Sequence, residues 1–168
     1  MLLLVIRHAI AADQAEFART GKTDDQRPLT NEGREKMRTA ARGLREIIPT
    51  IDLLASSPYV RAFQTAEIVA QAYGSVEIQR TEALVPTSRP AALIEFLRGE
   101  GNPETAAVVG HEPHLSSVVS WLLTGRASPV LELKKGAACL VSFDAEPRGG
   151  GSILRWSLAP AHLRRLGS

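Results

Sequence analysis

Leu2-Leu3-Leu4-Val5-Ile6, followed directly by Arg7-His8, is the stretch on which the fold turns. Apolar side chains at every position leave no face for water, so the run reads as a central strand of a parallel sheet, covered on both sides. It is too short for the core of a secretory signal and no basic region precedes it, so it is taken as the first strand. The charged pair at its carboxyl end is the first sign of a site, because a cation seldom follows the most apolar strand of a protein without a partner.

Outward from this strand, helical and extended patterns alternate. Thr30 or Asn31 can cap a helix in which Met37, Ala40, Ala41, Leu44 and Ile48 share one face, and Pro49 stops it. Ile51 to Ala55 is a second apolar run. Ser57-Pro58 then offers an N-cap and a proline at the first helical position. The helix behind it has Phe63, Ala66, Ala70 and Tyr73 on one face, and Gly74 is placed to end it in a left-handed conformation. Val76 to Ile78 reads as an outer strand, Pro90 to Leu97 as a helix, Ala106 to Val109 as a third buried strand, and about Leu115 to Leu123 as the helix after it. Ala138 to Phe143 and Ile153 to Leu158 flank Pro147-Arg148-Gly149-Gly150-Gly151 and read as an antiparallel pair. The expected fold is a single-domain three-layer α/β sandwich over residues 1–168, with a mostly parallel sheet, an antiparallel edge and helices on both faces.

With 168 residues, 44% hydrophobic and 23% charged, the chain has the balance of one packed domain, and no apolar run is long enough for a membrane span. The single cysteine, Cys139, cannot form an internal disulfide and lies within the apolar run Ala137 to Val141. It reads as a buried structural thiol in a protein of the reducing cytoplasm. The formal charge of +2 and the pI near 9.0 reflect a slight excess of basic residues. No aromatic and basic alternation suits base stacking, and Arg164-Arg165 reads as a solvated C-terminal helix face. Neither nucleic acid nor membrane is an expected partner.

Ligands of such sheets bind beyond the carboxyl ends of the strands. Three strand ends carry unusual residues: Arg7-His8, then Ser56-Ser57 with Arg61 just beyond, then Gly110-His111. Singly, each has a plain structural reading: a strand end reaching solvent, an exposed helix residue, a core histidine bonded to backbone. Together they suit phosphoryl transfer, which needs charge compensation on three phosphoryl oxygens of the kind that arginine forks supply. Imidazole is itself a competent nucleophile near neutral pH and needs no activating metal. The helix expected at Ser57-Pro58 adds free backbone N–H groups and a positive dipole end.

Leu4-Val5-Ile6-Arg7-His8-Ala9, Arg27-Pro28-Leu29-Thr30-Asn31-Glu32-Gly33, Ala55-Ser56-Ser57-Pro58-Tyr59-Val60-Arg61-Ala62-Phe63-Gln64-Thr65-Ala66 and Val109-Gly110-His111-Glu112-Pro113 resemble, in order, the signatures of histidine phosphatases. In particular they are similar to those of the small phosphohistidine phosphatases of the SixA type, over Met1 to about Leu123. The resemblance implies a phosphoglycerate mutase-like fold and a covalent phosphohistidine intermediate on His8, with neither metal nor cofactor. It further implies a phosphate pocket of Arg7, Arg61 and His111, with Arg27 at its mouth. Ala9 stands where the superfamily's broad motif has glycine, a departure that bears on substrate class rather than on the chemistry. Glu82 lies roughly where larger relatives place an acidic proton donor, and a solvated loop carboxylate is an equal reading; Asp13 and Glu16 are weaker candidates.

The substrate expected on this basis is phosphohistidine on a protein. The alternative is a small phosphorylated molecule, turned over by a phosphomonoester phosphatase or a mutase on the same scaffold, although mutases usually carry insertions that exclude water and the chain is too short for a large lid. A phosphate-binding module without turnover is a further alternative, but every required residue type is present. His111-Glu112-Pro113-His114 does not fit a zinc helix, where the histidines stand four apart; here they are three apart around a proline.

Overall fold

A computed structural model describes residues 1–101 and 103–168. In chain order it contains β1 (Leu2–Arg7), α1 (Gln14–Ala18), α2 (Asn31–Ile47), β2 (Leu53–Ser56), α3 (Val60–Ala72), β3 (Ile78–Arg80), α4 (Pro90–Gly99), β4 (Thr105–Gly110), α5 (His114–Thr124), β5 (Ala138–Ser142), β6 (Ile153–Leu158) and α6 (Pro160–Leu166). The strands form one six-stranded sheet in the order β3-β2-β4-β1-β5-β6. β1, β2, β3 and β4 are mutually parallel, and β5 and β6 complete the sheet as an antiparallel edge.

The period of two along β1 divides its side chains between two cores. Leu4 and Ile6 point to the side of α2, α3 and α6, where they meet Met37, Ala41, Leu44, Ala66, Val69 and Leu163. Leu3 and Val5 point to the side of α4 and α5, among Leu93, Leu97, Leu115, Val118 and Leu122. Burying each of the leucines contributes about 2 kcal/mol, which is why a strand without a polar position lies at the sheet centre. The three-layer α/β sandwich with an antiparallel edge is therefore the observed architecture. Among the described residues no helix is long and apolar enough to cross a membrane.

Local chemistry accounts for the element boundaries. Thr30 caps α2, its side chain accepting from the Gly33 N–H. Gly33 itself lies against the loop after β1: a Cβ there would stand 2.1 Å from the Ile10 carbonyl oxygen. Gly74, with φ of +84°, follows α3 in the left-handed conformation expected of it. Several boundaries differ from the sequence reading by a residue or two, β2 for instance running Leu53–Ser56 rather than Ile51–Ala55, and two of the differences bear on the site. α3 begins at Val60 with Tyr59 as its N-cap, because the Ser57 hydroxyl is engaged by the Tyr59 N–H and by His111. The outer strand is Ile78–Arg80, displaced toward the residues whose backbone reaches β2, with Arg80 opposite Ser56.

Candidate active site

Strand register brings the three strand ends together. Arg7 pairs with Gly110 across β1 and β4, and Ser56 pairs with Val109 across β2 and β4. The residues that follow, His8, Ser57 and His111, therefore leave the sheet side by side. The His8 N–H donates to the Gly110 carbonyl and the Ser57 N–H to the Val109 carbonyl, both at 3.0 Å. Beyond them lies a cavity of about 650 Å³ whose lining includes Arg7, His8, Arg27, Arg61 and His111, together with Asp13, Asp24, Glu112 and Lys135.

His8 is 5% exposed. Its Nδ1 lies 2.7 Å from the Ala9 carbonyl. A carbonyl only accepts, so Nδ1 carries the proton and Nε2 of the neutral ring keeps its lone pair. Burial pushes the His8 pKa down to about 3, opposed by the Ala9 hydrogen bond and assisted by the charges of Arg61, Arg7 and Arg27. The Ala9 N–H donates to Thr65 Oγ1 at 3.0 Å, and that hydroxyl donates to the Arg61 carbonyl at 2.7 Å. Thr65 thus ties the backbone after the histidine to the first turn of α3.

Arg61, expected either as a phosphate ligand or as an exposed helix residue, is 4% exposed. Its Nη1 donates to the Asp24 carbonyl at 2.7 Å and its Nη2 reaches Asp24 Oδ2 at 3.0 Å. Arg27 donates from Nε to Asp24 Oδ1 at 2.8 Å and from Nη1 to the Ala12 carbonyl at 2.8 Å. The two guanidinium groups hold the Asp24 carboxyl below its usual range against the cost of its partial burial. Arg7 donates from Nη1 to the Leu133 carbonyl at 2.5 Å, and its buried Nε has no protein partner among the described residues.

His111 is 1% exposed, its ring centroid 5.1 Å from that of His8. Its Nε2 shares a 2.9 Å hydrogen bond with Ser57 Oγ, and its buried Nδ1 has no protein partner among the described residues. Burial first, then the neighbouring His8 and Arg61 charges, push its pKa down to about 2. Two neutral imidazoles and three guanidinium groups, with Asp24 as internal counter-ion, form a pocket that can take a doubly charged oxyanion and present a ring nitrogen to it.

Glu82 is placed elsewhere. It stands exposed in a short turn, Glu82–Leu84, and the cavity lining at that side is contributed by Pro86. Glu16 is exposed on α1 and Asp13 caps that helix through the Glu16 N–H. Cys139 is fully buried in β5 and burial pushes its thiol up to about 12. Asp24, Thr65, Glu112 and Lys135 were not singled out from the sequence. The Asp24 to Arg27 spacing, an acid three residues before a base, was the one local signal available for any of them. Among the described residues no group of three or more His, Cys, Asp or Glu side chains is arranged to hold a metal ion.

An α/β sandwich whose central strands deliver histidine and arginine to one cavity ringed by guanidinium groups defines a class of phosphoryl-transfer proteins. The chain belongs to the histidine phosphatase superfamily (branch 1), whose family model matches residues 3–85, and it is a phosphatase. It is 35% identical over 137 residues to an uncharacterized protein of Picosynechococcus sp., covering 80% of this chain and 81% of that one. It is 25% identical over 171 residues to the phosphohistidine phosphatase SixA of Escherichia coli, covering 98% and 97% of the two chains. The structure of the protein histidine phosphatase SixA complexed with tungstate superposes with a TM-score of 0.82 at 25% identity, over 97% of this chain and 99% of that one. The phosphoglycerate mutase-like fold expected from the motifs is the fold found.

Proposed function

We propose that residues 1–168 form one catalytic domain that removes the phosphoryl group from phosphohistidine on a protein, in the cytoplasm and without a metal ion. His8 Nε2 attacks phosphorus, the N–P bond to the substrate imidazole breaks, and the imidazole departs with its own ring proton. Water then attacks the phosphorus on His8, giving inorganic phosphate and restoring the neutral ring. Arg7, Arg61 and His111 hold the equatorial oxygens, and Arg27 supports them through Asp24 at the mouth.

The observation that carries the substrate class is the condition of the acids in the cavity. Asp24 is ion-paired to Arg27 and Arg61, Glu112 accepts two backbone N–H groups, and Asp13 accepts a third. Asp24 and Glu112 are committed as acceptors at both oxygens, and Asp13, exposed at the rim, at one. An alkoxide leaving group needs a proton donor worth about a hundredfold or more in rate. Phosphohistidine protonated on its ring leaves as a neutral imidazole, whose conjugate acid has a pKa of roughly 6.5, and needs no such donor. Initial rates on a phosphohistidine protein, a phosphoserine peptide and a sugar phosphate test this. The phosphohistidine protein should be turned over at least about a hundredfold faster, through an acid-labile, base-stable adduct on His8. Equal rates on the phosphoserine peptide would overturn the substrate assignment, and an adduct elsewhere would overturn the nucleophile. Glu82→Gln should leave the phosphohistidine rate unchanged.

A further inference from the structure

We propose that Glu112 is a positioning residue for Arg7, acting through Leu133. The inference rests on Arg7 holding phosphate as described above. Glu112 follows His111 directly and borders the cavity, yet its carboxylate is turned to the protein. Oε2 accepts the Ser116 N–H in the first turn of α5 at 3.3 Å, and Oε1 accepts the Leu133 N–H at 3.1 Å. Leu133, 1% exposed, accepts Arg7 Nη1 on its carbonyl. One residue is thus held by its N–H to an acid and holds a guanidinium by its carbonyl.

The connection has consequences because this stretch has no regular structure of its own. Between the end of α5 and the start of β5 the backbone is irregular. The bonds that fix its inner part to the sheet are those at Leu133, those from the Gly136 N–H to the Arg7 and His8 carbonyls, and that from the Arg7 N–H to the Ala137 carbonyl. Glu112 is the side chain that anchors it from the β4 side. Without that anchor the Leu133 carbonyl loses its fixed position, and Arg7 Nη1 loses the acceptor that sets its plane. The remaining donors of Arg7, including the buried Nε, are then no longer aimed as a rigid fork, and anion recognition by arginine depends on that planar geometry.

A carboxylate suits this task better than its amide. It accepts at both oxygens, whereas glutamine accepts at one and would turn an N–H₂ group toward the other backbone donor. Its negative charge also favours the N-terminus of α5.

The test is a double-mutant cycle on the full chain: the parent, Glu112→Ala, Arg7→Lys and the pair, with Glu112→Gln beside them. The readouts are kcat and KM on a phosphohistidine peptide, the affinity for inorganic phosphate by calorimetry, and the thermal midpoint. Glu112→Ala should lower kcat by about tenfold and weaken phosphate binding, with Glu112→Gln recovering part of both. In the Arg7→Lys background, removing Glu112 should change kcat by less than about twofold, because the interaction it serves is already gone. Losses that multiply in the pair would overturn the proposal, as would a lowered midpoint with kcat and phosphate affinity intact. If Glu112→Ala does not fold, the same cycle is read with Glu112→Gln. An Arg7→Lys variant with full turnover would instead overturn the reading of Arg7 and take this inference with it.

Discussion

His8→Gln should make the protein less sensitive to acid even as it removes the proposed nucleophile. Burial holds the His8 pKa at about 3 in the folded chain, against roughly 6.5 when the imidazole is free in the unfolded one. Between those values the unfolded state binds a proton that the folded state does not. The stability contributed by the neutral, buried ring is therefore complete above pH 6.5 and is lost as the pH falls. A full proton costs about 1.4 kcal/mol of stability per pH unit and the unfolded imidazole is half protonated at pH 6.5, so His8 alone removes about 2.3 kcal/mol between pH 6.5 and 4.5. His111, held at about 2 by the same cause, removes a similar amount over that window. Together they approach the whole stability of an ordinary domain, about 5 kcal/mol at the low end. Urea unfolding of parent and variant at pH 6.5 and 4.5 measures the difference. Carboxylate effects are common to both proteins and cancel, so the parent should lose about 2.3 kcal/mol more than the variant. Losses equal to within about 0.5 kcal/mol would refute the assignment of a neutral, desolvated His8. A corollary concerns activity: with the His8 pKa pushed down to about 3, protonation of His8 should not itself lower kcat/KM over this window.

Arg61→Lys keeps the charge near Asp24 but lacks the planar fork that can grip two phosphoryl oxygens, so turnover should fall by more than about tenfold; steady-state kinetics within twofold of the parent would show that the fork is not used. Cys139 should resist iodoacetamide in the native protein at pH 8 and react on unfolding in urea, because it is buried and its thiol is pushed up to about 12; mass spectrometry showing rapid native labelling would contradict its place in the core. Gly43→Ala would set a Cβ 2.0 Å from the Leu163 carbonyl oxygen, forcing α6 off α2. Thermal or urea unfolding should register a loss of about 1–3 kcal/mol, and an unchanged midpoint would mean that α6 packs elsewhere.

How far the sequence could be read follows from which interactions are local. β1 and β4 were legible because a strand buried on both faces must be apolar throughout, and α2 because its cap, its apolar face and its stopping proline all lie within the segment. The strand ends of a parallel sheet converge by topology, so His8, Arg7, Arg61 and His111 could be grouped from the alternation of elements alone. What decides their condition is not local. Arg61 is buried because Asp24, 37 residues away in the chain, neutralises it from an irregular turn. Nothing in the periodicity of α3 distinguishes that arginine from a solvated one. Ser57 reads as a helix cap because serine before proline usually is one; here a histidine from another strand shares its hydroxyl, and the helix starts later. Glu82 was placed by likeness to longer relatives, and the backbone turn that carries it leaves it facing solvent.

β1 and β4 occupy the middle of the sheet, with strands on both sides of each. Amide hydrogens there can exchange with solvent only through the largest openings of the molecule, whereas β6 and β3 fray at the margins. His8 and His111 are the residues immediately after those two strands, and the His8 N–H is itself bonded to the Gly110 carbonyl at the end of β4. Deuterium uptake should therefore rank the peptides that carry β1 with His8 and β4 with His111 among the slowest in the protein. If the edges and the terminal helix open first, the pair of rings keeps its spacing, and that spacing would be among the last features to dissolve.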